Sequence, residues 1–197
     1  DCTGARRFLR GMTFALGEGV HALISKRADG DMKHSQENRQ RFFDAQNIET
    51  NTVVRADLVH GSHVAKVVQS DAGCIIEKTD ALVTNELNLA LSVTIADCFP
   101  VFLYDPEHHV IGIVHAGWRG VVADIVPELV RTCVTEFGSD PSRLRVAIGP
   151  GIGPCHFIVG EDVTKIFRAH LPEDSGIVLI CDGQTVVDLP RAIMSQL

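Results

Sequence analysis

Apolar positions along the chain follow two rhythms. Residues 53–59 and 63–68 are rich in β-branched side chains and predict extended, hairpin-like segments. Leu89 to Ile95 and Pro100 to Tyr104 also predict strands, with Asp97-Cys98 between them. Val110 to Val114 is an unbroken apolar run ending at His115, the pattern of a strand covered on both faces. Leu144 to Ile148 predicts a further strand that opens into Gly149-Pro150-Gly151-Ile152-Gly153-Pro154. The helical rhythm is clearest over 120–137. There Val121, Ile125, Leu129, Cys133 and Phe137 recur every fourth residue, with Val122, Val126, Val130 and Val134 beside them. Gly138 supplies a left-handed stop. Pro127 should remove one hydrogen bond from that helix, and the pattern gives no reason for it. Ser35 is placed to cap a helix that runs through Arg39 to Phe43, and 162–171 predicts a shorter helix. Residues 191–197 resemble the beginning of one more. Strands and helices interleave, so the expected class is α+β, with mixed β-sheets in a single domain over 1–197.

Composition narrows the function classes. A chain of 197 residues with 45% hydrophobic residues can bury a core without cross-links. The net charge of −7 argues against a general nucleic-acid binder, but a few local arginines suffice for one phosphate. No apolar run reaches the roughly 18 residues of a membrane span. Asp1 to Arg7 lacks the order of a signal peptide, and the six cysteines show no paired spacing. A cytoplasmic location is the expectation. Cys74, Cys133 and Cys181 lie among apolar residues and are expected to be buried thiols.

Candidate chemistry gathers around His60, Cys98 and His115. One thiolate and two imidazoles would give a transition metal three protein ligands and leave a position open for water or substrate. Separations of 38 and 17 residues do not guarantee that the three meet. One buried cysteine and two satisfied histidines fit the spacing as well. Cys98 and His115 could instead be a nucleophile and its base. Asp97 is a candidate proton carrier, or a simple turn carboxylate. Arg119 could grip an anion and Trp118 could stack on a ring, or both could be structural. The glycine–proline loop lacks Gly-Lys-Ser/Thr and reads better as a structural turn than as a phosphate cradle.

Ala96-Asp97-Cys98-Phe99-Pro100, His115-Ala116-Gly117-Trp118-Arg119-Gly120 and Ile148-Gly149-Pro150-Gly151-Ile152-Gly153, in that order, resemble the YfiH/laccase-domain family of multi-copper-polyphenol-oxidase-like proteins. Val59-His60-Gly61 and Asp80 to Asn85 match upstream segments of the same family. The resemblance spans about residues 20–190. It implies a layered α/β/β/α domain, with zinc, or sometimes copper, held by His60, Cys98 and His115. It also implies a purine nucleoside phosphorylase acting on adenosine, inosine, guanosine and methylthioadenosine, with adenosine deaminase activity. Phosphate and a purine nucleoside would then be its small-molecule partners, bound with the help of Arg27 and Arg119, while Asp97 moves protons. A copper phenol oxidase, a Cys98–His115 thiol hydrolase and a non-enzymatic domain closed by a fourth ligand such as His63 remain alternatives. The residues show no His-x-His pair of the kind a multi-copper centre would need. Departures from the family pattern are Leu58 in place of Gln, His156 in place of Cys, and Phe157 in place of Tyr. A compressed stretch between Arg27 and Asn38, and the lack of the C-terminal Cys-Thr and Ser-x-Arg region, suggest a domain short of a C-terminal segment.

Overall fold

A computed structural model describes residues 12–171 and 175–197. The opening Asp1–Arg7 segment lies outside the described residues. The strands are β1 (Met12–Gly17), β2 (Val20–Ile24), β3 (Val53–Ala56), β4 (Val64–Lys66), β5 (Ile75–Ile76), β6 (Ala81–Thr84), β7 (Ala90–Ser92), β8 (Phe99–Asp105), β9 (Val110–Ala116), β10 (Arg145–Ile148), β11 (Val178–Cys181) and β12 (Gln184–Val187). The helices are α1 (Gln36–Asp44), α2 (Trp118–Val122), α3 (Ile125–Phe137), α4 (Glu161–His170) and α5 (Leu189–Met194).

A five-stranded sheet of order β10-β8-β9-β6-β4 forms the centre. Its antiparallel pairs are β10/β8, β8/β9 and β9/β6, while β4 joins β6 in parallel. Strand alternation sends Phe99, Val101 and Leu103 to one face, where they meet Leu129 of α3, Phe167 of α4 and Ile193 of α5. Phe102 and Tyr104 point to the other face and pack with Leu16, Ala22 and Val54 of the smaller sheets. Both faces are covered, so β8 and β9 read as continuous apolar runs. On the second face α1 buries Phe42 and packs next to the 3-10 turn Thr50–Thr52, giving the helix–sheet–sheet–helix order.

Three expectations change. The early strands are not hairpins: β3 pairs in parallel with β5 and β7, and β4 in parallel with β6. β-Branched composition marks an extended segment but not its partner. The predicted helix 120–137 is two helices broken at Ala123-Asp124, where Asp124 is left-handed with φ 59°. That break explains Pro127. It is the third residue of α3, where the N–H has no helical acceptor in any case. The Gln196 side chain fastens the corner by donating to the Val121 carbonyl (2.7 Å) and the Asp124 carboxylate (3.0 Å). Cys133 is buried as expected, but Cys74, just before β5, is exposed and Cys181, the last residue of β11, is only half-buried, because both lie at the small outer sheets. Ser35 does cap α1, accepting from the Asn38 N–H, and Gly138 ends α3 at φ 74°. The residues from 191 onward do lie in a short helix, α5.

Candidate metal centre

The β8–β9 hairpin sets the first two positions. Phe99 pairs with Ala116 and Pro100 with His115, so Cys98, just before β8, falls beside the end of β9. By alternation His115 shares a face with Ile111 and Ile113, which is the face turned to the smaller sheets. His60 arrives from the loop between β3 and β4 with its backbone left-handed at φ 61°.

Asp80, just ahead of β6, holds that loop in place. Its Oδ2 accepts from the backbone N–H of Val59 (3.2 Å) and Gly61 (2.8 Å), and its Oδ1 from that of His60 (2.9 Å). Oδ1 also meets His115 Nδ1 at 2.8 Å. The Asp80 side chain is fully buried and four hydrogen bonds converge on it. Burial alone would raise its pKa, but the His115 contact and the three N–H groups hold it below the usual carboxylate value. Thr79 reinforces the arrangement by donating through its hydroxyl to the His63 carbonyl at 2.9 Å.

The resulting geometry brings His60, Cys98 and His115 together, with their ligating atoms all within 4.8 Å of one another. The two imidazole rings meet edge to face, with centroids 4.8 Å apart. With Nδ1–H donating to Asp80, His115 presents the Nε2 lone pair to the site. Gly117 leaves the space open: a Cβ there would lie 3.0 Å from Cys98 Sγ and 3.2 Å from His60 Cδ2. One soft sulfur, two imidazoles and a cradle without a side chain fit a tetrahedral metal with one free position. No fourth His, Cys, Asp or Glu among the described residues joins the set, and His63 stays outside it. In the metal-free protein burial lowers the His115 pKa, but Asp80 and Cys98 outweigh that and raise it to about 9. A metal would therefore displace a proton on binding at neutral pH.

The centre opens onto a cleft of about 1990 Å³ lined by residues of the central sheet, the smaller sheets and α1. Asp97 is exposed on its wall, and its carbonyl accepts from the Ile152 N–H at 2.8 Å. Arg27 is also exposed there. Arg119 does not line the cleft; its guanidinium lies over the Trp118 ring at 4.4 Å. The Trp118 ring in turn packs 6.3 Å from that of Phe167. The glycine–proline loop is a structural turn. Its Gly149 N–H donates to the Pro100 carbonyl at 2.8 Å, and a Cβ on Gly151 would sit 2.8 Å from the Phe99 ring.

Asp80 is the residue that sequence reasoning passed over. The signal was a carboxylate directly before the short apolar run Ala81-Leu82-Val83. An ionisable group entering a buried strand needs partners, and here the partners are the site itself.

Residues 22–197 match the family described as multi-copper polyphenol oxidoreductase laccase. The chain belongs to that family. It is 37% identical over 139 residues to a purine nucleoside phosphorylase, YlmD, of Bacillus subtilis, covering 67% of this chain and 50% of that protein. A purine nucleoside phosphorylase of Deinococcus radiodurans is 38% identical over 172 residues, covering 86% of this chain and 64% of that protein. The crystal structure of YlmD from Geobacillus stearothermophilus superposes with a TM-score of 0.76 at 33% identity, covering 81% of this chain and 62% of that one. That of Bacillus licheniformis YfiH gives 0.78 at 28% identity, covering 94% and 72%. The chain thus spans half to about two thirds of the length of these phosphorylases. The family's multi-copper description is not matched by further donor sets: among the described residues the His60–Cys98–His115 group is the single cluster placed for a metal.

Proposed function

We propose that the chain is a metal-dependent purine nucleoside phosphorylase that also deaminates adenosine. The observation that carries this reading is the convergence of His60, Cys98 and His115 on one point, with His115 oriented by buried Asp80, at the edge of a cleft with room for a nucleoside. The names borne by the relatives support the substrate class. When bound, zinc supplies Lewis acidity that polarises a coordinated group and activates water.

The protein's own residues do the rest. Asp80 keeps the His115 Nε2 lone pair directed into the site and holds His60 in its left-handed backbone. In phosphorolysis a phosphate oxygen bonds to the ribose anomeric carbon while the bond from that carbon to the purine nitrogen breaks. Asp97, on the cleft wall, delivers the proton that the departing base takes up. In deamination the same carboxylate passes a proton to the leaving ammonia as water adds to the purine ring. Arg27 offers a cation to the anionic reactant. Arg119 would have to leave the Trp118 ring before it could contribute.

A second reading has its own support. Asp80, His115 and Cys98 lie in the order of an acid–base–nucleophile relay, so the same atoms could run a thiol hydrolase. Metal-defined protein incubated with adenosine, with and without phosphate, separates the possibilities. Adenine and ribose 1-phosphate mean phosphorolysis, and inosine means deamination. Activity that survives full chelation belongs to the thiol reading.

A further inference from the structure

Of the arginines among the described residues, only Arg39 and Arg55 are half-buried; the others are exposed. Most of the others have protein partners: Arg143 pairs with Glu107, Arg145 donates to the Leu16 carbonyl, and Arg119 stacks on Trp118. Arg55 has none. Val54 and Ala56 face the core of the smaller sheets, so Arg55 points to the opposite side of β3, where it lines the cleft. Arg39, on α1, lines the same wall. Its Nη1 donates to the Met32 and Lys33 carbonyls, both at 2.9 Å, which anchors the guanidinium and leaves its remaining N–H groups free of partners among the described residues. No ion pair among the described residues engages either arginine.

We propose that Arg55 and Arg39 form an anion subsite of the cleft that receives a phosphate group. Two half-buried cations on one wall, neither paired with a carboxylate among the described residues, are less favourable without an anion to share. Withdrawal from water and the neighbouring Arg39 charge each weaken the hold of Arg55 on its proton, as expected of a site built for a counter-charge. Guanidinium groups present paired N–H donors that match phosphate oxygens. Arg55 is five residues before His60, so its Cα lies at most about 18 Å from that of the metal ligand. The subsite therefore lies within about 18 Å of the metal centre by chain reach. It takes either free phosphate or the phosphate ester of a nucleotide whose base reaches the metal centre. The choice of phosphate over other anions rests on the function proposed above, whereas the subsite itself does not.

Calorimetric titration of the purified chain with inorganic phosphate and, separately, adenosine 5′-monophosphate tests the proposal, with melting temperature measured in phosphate-free buffer. Arg55→Gln should weaken binding at least tenfold for one of the two probes, and Arg55→Lys by less, because it keeps the charge but loses the fork. Loss for inorganic phosphate identifies free phosphate as the occupant; loss for the nucleotide alone identifies the ester. Without phosphate, Arg55→Gln should melt no lower than the parent, since it removes an uncompensated charge. Unchanged affinity for both probes overturns the proposal. So does a fall of several degrees in the phosphate-free melting temperature, which would make Arg55 structural. Arg55-dependent phosphate binding without nucleoside turnover would retain the subsite and sink the phosphorylase reading; the opposite pattern would do the reverse.

Discussion

Replacing Asp80 with Asn keeps the size of the side chain and removes half of its acceptor capacity. Four donors now converge on two carboxylate oxygens: the Val59 and Gly61 amides on one, the His60 amide and His115 Nδ1 on the other. An amide must turn its NH₂ to one of these pairs. Facing Val59 and Gly61, it strands two part-buried backbone donors, at up to about 1–3 kcal/mol each. Facing His60 and His115 is cheaper, because the imidazole can change tautomer and accept at Nδ1. One backbone donor is then lost, and Nε2 carries the proton, so it can no longer bind a metal. The second arrangement should win. It predicts a loss of about 2–3 kcal/mol in metal-free stability, about 4–12 °C in melting temperature for a chain of this size. Zinc affinity should fall about 10- to 100-fold. Thermal unfolding of the chelated protein and competition with a zinc-binding dye measure the two effects separately. An Asp80→Asn protein with zinc affinity within twofold of the parent would refute the claim that Asp80 sets the His115 tautomer.

Other predictions follow from single contacts. Gly117→Ala places a methyl 3.0 Å from Cys98 Sγ without straining the backbone, which has φ −79° there. Zinc competition should show weakened metal binding, with the melting temperature of chelated protein nearly unchanged. Asp105 is buried at the β8–β9 turn. Burial would raise its carboxyl, but Ser139, the Glu107 and His108 amides and the His108 ring lower it to about 2. A depressed folded pKa stabilises above the unfolded value of 3.8, and the gain vanishes as pH falls toward 2. Denaturant unfolding across pH 2–5 should show that slope, and Asp105→Asn should flatten it, with at most about 2.5 kcal/mol at stake. Leu129→Ala empties the contact between α3 and Gly112 of β9, where Leu129 is 1% exposed, and should cost about 2–5 kcal/mol by denaturant titration.

Much of the site was legible because hairpin arithmetic is local. Cys98 immediately precedes β8 and His115 is the penultimate residue of β9, two seven-residue strands joined by a short turn, so a separation of 17 positions brings them level. His60 was recognisable as a donor, but its placement was not. It depends on Asp80, which reaches across to it from about twenty residues downstream through backbone hydrogen bonds that no periodicity encodes. The helix break at Asp124 was hidden for a related reason. The apolar repeat continues through it in sequence, and Pro127 was the one visible clue. The parallel pairing of β3 and β4 was invisible because composition marks extended chain without naming a neighbour. Arg55 carried no sequence signal, since its isolation from acidic partners is a property of the packed cleft.

The central claim is that one metal, held by His60, Cys98 and His115, is required for nucleoside turnover. Zinc titrated into chelated protein, with phosphate-dependent release of adenine from adenosine followed at each addition, tests it most directly. No turnover at zero zinc, then a linear rise that breaks at about one equivalent, is the predicted result. Full turnover in the chelated protein, or a break only at two or more equivalents, would contradict it.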